Sequence, residues 1–226
     1  MSGKEVTIAA EDGDFAAYQA GEGPAIVVIQ EIFGVNDVMR ELCDDLAEQG
    51  YLAVCPDLFW RLEPGVQLTD KTQAEWDKAF ELMGKFNPDQ GVEDIAAVID
   101  YARRTGTGKV GAVGYCLGGL LAYLTACRTD CDATVGYYGV NIDKHLDEAD
   151  RIEKPLMLHI AGQDEFVDTA AQEKMVEGLK DNPHVTLHRY PERDHAFARR
   201  GGAHYDARDA ELANTRTRAF FQQNLG

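Results

Sequence analysis

The chain has 226 residues, 45% of them hydrophobic and 27% charged, which is enough apolar material for one sizeable core in an ordinary globular protein. Its 22 basic residues stand against 39 acidic ones, and the formal charge of −17 opposes both the phosphates of nucleic acid and the anionic face of a membrane. Neither is an expected partner. The opening "MSGKEVTIAAEDGDF" lacks a charged-then-apolar leader and the longest apolar runs are strand-sized, so neither export nor a membrane span is indicated. Five cysteines (Cys43, Cys55, Cys116, Cys127, Cys131) are an odd number in a chain too long to need disulfide staples, and they suit a reducing cytoplasm. Cys127 and Cys131 in "CRTDC" have no second ligand pair at a compatible spacing, so they read as structural thiols, with no metal expected.

In chain order, "AIVVIQ" (25–30), "LAVCP" (52–56), "KVGAVGY" (109–115) and "PLMLHIAG" (155–162) are near-continuous apolar runs a helix-length apart. Runs of that kind are strands of a largely parallel sheet covered by helices on both faces. "TVGYY" (134–138) and "VTLHRY" (185–190) add two more strands. The stretch 57–91 is the least regular and reads as a small insertion or lid. Over 92–104, Val92, Ile95, Ala96, Ile99 and Ala102 share one helical face. A helix-compatible apolar segment follows at 119–127. The segment 169–181 opens on Thr169 with Gln172 three residues on, a capping-box pattern, and a last helix runs from about Ala207 to Asn224. Nothing marks an internal boundary, so a single α/β domain over 1–226 is expected.

The sharpest local feature is "VGYCLGG" (113–119), between the third long strand and an apolar helix. "G-Y-C-L-G" has the spacing of the nucleophile elbow G-x-S-x-G with cysteine in the serine position. Small neighbours leave room for a strained strand-to-helix turn, which lifts the nucleophile above the sheet and aims the Leu117 N–H at a developing oxyanion. The helix N-terminus behind it favours a thiolate at Cys116. A glycine-rich turn around a buried cysteine gives the same pattern, so the partners decide. In an α/β-hydrolase they follow in the order nucleophile, acid, histidine, each after a later strand. Asp164 in "AGQDEFVD" and His195 in "RDHAF" fall at those places. Glu165 and Asp168 compete with Asp164, although Asp168 stands where it would serve the following helix terminus. His159 and His188 lie within strands, and His145, His184 and His204 lie away from a strand-to-loop junction.

Glu31 in "VVIQEIFGVN" ends the first long strand, at the sheet edge where such folds bind ligands. Its neighbours Ile29, Ile32 and Phe33 make a partly buried carboxylate the reading, and such a group has its pKa raised or needs a proton-donating partner. The Ile32 N–H stands where this fold draws its second oxyanion donor. Tyr138, at the end of "TVGYY", is a candidate substrate contact.

"QEIFGVN", "YLAVCPDLF", "VGYCLGG", "AGQDEFVD" and "DHAFAR" resemble, in order and spacing, the dienelactone hydrolase (carboxymethylenebutenolidase) family, from about residue 20 to the C-terminus. The resemblance implies an α/β-hydrolase fold and a Cys116–His195–Asp164 triad without cofactor. It also implies that Glu31 gates the nucleophile: the resting thiol is held neutral on the glutamate, and substrate binding moves the carboxylate so that it takes the thiol proton. Arg199 matches the family position that binds a substrate carboxylate. A second substrate-binding arginine of the family is missing from "DKTQAEWDKAFELM" (70–83), where Trp76 takes its place beside Phe33 as a candidate aromatic wall.

The expected substrate is an enol-lactone such as 4-carboxymethylenebut-2-en-4-olide, with a place in aromatic degradation. A small lactone or ester carrying a carboxylate is the expected partner, and a monomer or small homo-oligomer the expected assembly. Cysteine supports that choice independently. A thiolate leaves a tetrahedral intermediate more readily than an ordinary alkoxide, whereas a conjugated enolate competes with it. A broader carboxylesterase or thioesterase, and a non-catalytic lactone-binding module, are the alternatives.

Overall fold

The computed structural model describes residues 3–226. Two compact units divide the chain, the first ending at Ala112 and the second running Val113–Gly226.

The first unit opens on an antiparallel hairpin, β1 (Lys4–Ala10) and β2 (Gly13–Ala20), that the apolar-run criterion does not predict. Its strands are half-exposed and alternate, burying Ile8, Phe15 and Ala17 between polar positions. β3 (Ala25–Ile29) and β4 (Leu52–Pro56) are buried throughout, as their uninterrupted apolar sequences require. β2 runs antiparallel to β4 and β4 parallel to β3 (Val27 opposite Val54), so the order is β1-β2-β4-β3.

Helix α1 (Asp37–Glu48) starts at Asn36, whose side chain accepts the Met39 N–H. The irregular stretch 57–91 holds a complete helix, α2 (Gln73–Lys85), capped by Thr72. Helix α3 (Pro88–Thr105) has Asn87 as its cap, proline at its first position and Arg103 and Arg104 in its last turn, and it buries Val92, Ile95, Val98, Ile99 and Ala102.

Strand β5 (Val110–Tyr115) leads into the second unit. There β6 (Ala133–Tyr137), β7 (Leu156–Ala161) and β8 (Val185–Tyr190) follow in parallel, in the order β5-β6-β7-β8. Helix α4 (Leu117–Arg128) is apolar all round and buried from Leu117 to Cys127, the pattern of a central helix. Helix α5 (Thr169–Leu179) begins one residue earlier than the capping-box reading places it. Asp168 is the cap, accepting the Ala171 N–H at 2.8 Å, while Gln172 donates to the Val167 carbonyl. Helix α6 (Ala207–Leu225) closes the chain from its cap Asp206. No helix among the described residues is long and apolar enough to cross a membrane.

Candidate active site

Cys116 stands between β5 and α4 with φ 57° and ψ −114°, a conformation that a residue with a Cβ adopts only under strain. Its surroundings explain how the strain is held. A Cβ on Gly114 would lie 1.9 Å from the Gly118 carbonyl oxygen, and one on Gly119 would lie 2.6 Å from Gly139 Cα, so the elbow closes only around glycines. The Cys116 N–H donates to the Tyr137 carbonyl at 3.1 Å, and its own carbonyl accepts from Gly119 at 3.0 Å. Leu117 is the first residue of α4, where amides have no intrahelical acceptor and the helix dipole is positive.

Asp164 and His195 come from the loops after β7 and β8 and meet as their order in the sequence predicts. His195 Nδ1 lies 2.8 Å from Asp164 Oδ2, and the other carboxylate oxygen accepts the Phe166 N–H at 2.9 Å. Of the three acidic candidates, Asp164 is the one whose carboxylate meets His195. The two loops are stitched to each other: Gly162 donates to the Tyr190 carbonyl and Gln163 to the Arg193 carbonyl, both at 2.8 Å.

His195 is only 5% exposed, and its pKa is raised to about 10. Burial pushes it down most strongly, but attraction to Cys116 and hydrogen bonding and attraction to Asp164 together outweigh that penalty. Its Nε2 is buried and makes no well-formed hydrogen bond among the described residues. The imidazole is walled by Tyr138 (ring centroids 5.1 Å apart) and Phe166 (4.8 Å), both edge-to-face. Tyr138 reaches it from a positive φ of 38°. Phe166 is not among the residues sequence reasoning singled out; the available signal is an aromatic side chain two residues after the acid.

Arg199 is buried on the turn after His195, its N–H bonded to the Ala196 carbonyl. In the first unit, Glu31, Ile32 and Phe33 are buried on the loop after β3, which Gly34 pairs with Gln67 and Phe33 joins through its carbonyl to the Leu68 N–H. Trp76 meets Phe33 edge-on at 5.0 Å, stacks on Phe80 at 5.5 Å, and spends its indole N–H on the Asp70 carbonyl. Phe33 and Trp76 thus form one aromatic wall.

The described residues contain no cluster of potential metal ligands, and all five cysteines are buried free thiols. Burial pushes the Cys127 thiol up to about 11, in keeping with a structural role.

The model of the dienelactone hydrolase family matches residues 14–225. The chain belongs to that family. A relative from Azospirillum brasilense is 53% identical over 224 residues, covering 96% of this chain and 97% of its own. The carboxymethylenebutenolidase of Pseudomonas putida is 45% identical over 195 residues, with 85% and 83% covered. Among solved structures, a chain from Klebsiella pneumoniae matches with a TM-score of 0.85 at 28% identity, covering 98% of each chain. A dienelactone hydrolase-like promiscuous phosphotriesterase from metagenomic libraries shares the fold with a TM-score of 0.82 at 20% identity, with 99% of this chain and 98% of its own covered. The fold is that of an α/β-hydrolase with a mostly parallel sheet, and the chain is a carboxylic ester hydrolase of the class acting on enol-lactones or esters.

Proposed function

We propose that the chain opens carboxylated enol-lactones through a thioester on Cys116. The observation that carries this reading is the strained Cys116 at the head of α4 together with a buried His195 whose Nδ1 lies 2.8 Å from Asp164. The Cys116 sulfur, as thiolate, adds to the lactone carbonyl while the Leu117 and Ile32 N–H groups bind the oxyanion. The ring C–O bond breaks, the enolate departs and takes a proton from the His195 imidazolium, and the acyl group remains on sulfur. Water then gives a proton to His195 as it attacks the thioester, and the thiolate leaves. Asp164 fixes the imidazole tautomer and stabilises its cation.

Arg199 orients the substrate through its carboxylate, and Tyr138, Phe33 and Trp76 line the rest of the ligand. Glu31 acts as the family resemblance implies, taking the thiol proton when substrate arrives and returning it to the thiolate after the product acid has left. Five buried free thiols support a reducing, cytoplasmic setting.

The test is loss of near-ultraviolet absorbance of a conjugated enol-lactone, run beside a saturated lactone and an aryl ester, with Cys116→Ala and Glu31→Gln as controls. Enol-lactone turnover that both variants reduce is the expected result. Turnover of the aryl ester alone would move the assignment to a broader carboxylesterase or thioesterase, which the wholly apolar wall of Phe33, Trp76 and Phe80 favours.

A further inference from the structure

The loop between His195 and α6 carries Arg199 and is closed by contacts that belong to none of the catalytic roles above. Its ends meet where Asp206 N–H donates to the Phe197 carbonyl at 2.9 Å. Arg193 holds the same corner, its Nη1 2.6 Å from Asp206 and its Nε 2.8 Å from Asp209, the latter too bent for a hydrogen bond. A third closure joins the far side of the loop to the catalytic histidine's own backbone. Asp194 Oδ1 accepts the His195 N–H at 2.7 Å, and Asp194 Oδ2 lies 2.9 Å from His204 Nδ1. One carboxylate therefore spans the residue that carries the imidazole and the loop that carries Arg199.

Between those points the chain makes a turn that must be held. Ala196 has φ 61°, unfavourable for a residue with a Cβ, and Arg199 is buried although Arg200, Gly201 and Ala203 around it are exposed. Arg199 is thus the last buried residue before the exposed half of the loop, and a side chain at that border keeps one direction only while the loop ends stay fixed.

We propose that the Asp194–His204 contact is a positioning clasp: it holds the loop so that Arg199 is preset for the substrate carboxylate. His204 and Asp194 touch no reacting atom in this account. The clasp acts through Arg199 on substrate affinity and not through His195 on the chemical step. The proposal rests on the reading of Arg199 as the carboxylate anchor. Both partners are more than a third exposed, so the contact is a modest one.

The experiment compares KM and kcat of His204→Ala, His204→Gln, Arg199→Ala and the double variant on two enol-lactones, one bearing a carboxylate and one of the same ring without it. The expected result for His204→Ala is a KM about fivefold higher for the carboxylated lactone, with its kcat and both constants for the neutral lactone unchanged. His204→Gln, which keeps a donor, restores most of the affinity, and the double variant is no worse than Arg199→Ala alone. Equal loss on both lactones, or a fall in kcat, would overturn the clasp and assign these residues to general support of the His195 loop. If Arg199→Ala is selective for the carboxylated lactone and His204→Ala is not, the clasp fails while the anchor stands. If Arg199→Ala is not selective, the anchor fails and the clasp with it.

Discussion

Two buried histidines of the second unit, His195 and His159, show what separates a histidine poised for chemistry from one that holds a core together. Both place Nδ1 2.8 Å from an oxygen, but for His195 it belongs to the Asp164 carboxylate and for His159 to the Tyr190 hydroxyl. His159 also spends its second nitrogen, 3.0 Å from Thr217 Oγ1, whereas His195 Nε2 makes no well-formed hydrogen bond among the described residues.

The network around His159 runs in one sense. Arg216 donates to the Tyr190 hydroxyl, which must then give its proton to His159 Nδ1. His159 Nε2–H donates to Thr217, Thr217 to Tyr137, and Tyr137 to the Asn214 side-chain oxygen. Every group is used, so nothing is left for a substrate. Burial, with repulsion from His188 and Arg216, lowers the His159 pKa well below its ordinary value, while Cys116 and Asp164 raise that of His195. A partner of opposite charge and an uncommitted nitrogen, not burial, distinguish His195, the proposed base, from His159.

The largest test of that contrast is deletion of each imidazole. His195→Ala should cut turnover by a thousandfold or more, roughly as Cys116→Ala does. His159→Phe should leave kcat within about threefold, yet cost about 2–4 kcal/mol of stability in urea, because Tyr190 and Thr217 lose their partner in a closed core. A catalytic collapse of His159→Phe would erase the distinction.

Asp164→Asn should lower kcat by about a hundredfold or more by disturbing the imidazole tautomer, with KM nearly unchanged in steady-state assays. A smaller loss would mean that Cys116 alone sustains the histidine's charge. Gly114→Ala brings a Cβ into the Gly118 carbonyl, and chemical denaturation should show a loss of about 3 kcal/mol or more.

The last contrast is in pH dependence, where the two histidines contribute with opposite sign. His159 stays neutral when folded but gains a proton when unfolded, so its stability is present above about pH 6.5 and is lost as pH falls below it, at about 1.4 kcal/mol per pH unit. His195, raised to about 10, contributes stability that is full below about pH 6.5 and is lost as pH rises toward 10. Unfolding free energies of His159→Phe should lose part of the acid-side slope and keep the alkaline one. His195→Ala should do the reverse.

The same contrast shows what sequence could and could not carry. Continuous apolar runs announced β3, β4, β5 and β7, because strands buried on both faces need no polar alternation. The β1–β2 hairpin escaped because small alanines and polar residues alternate there without a strong apolar stripe. Helix α2 hid in a stretch read as irregular, its buried face reduced to Ala79 and Leu82. The cap of α5 shifted to Asp168 because any short side-chain acceptor before an N-terminal turn competes for the same amide. Chain order placed Asp164 against His195, since topology alone brings those loop ends together. It could not place Phe166, 43% exposed beside His195, because an exposed aromatic has no periodic signature.

Central to the account is a covalent step on one sulfur, and rapid acid quench followed by intact and peptide mass analysis tests it most directly. Mixing the protein with a conjugated enol-lactone and quenching within the first turnover should add the mass of the ring-opened acyl group to the peptide containing Cys116. That adduct should build up in a His195→Gln variant, where deacylation lacks its base, and be absent in Cys116→Ala. Steady turnover by Cys116→Ala, or an acyl group on any other residue, would contradict the mechanism.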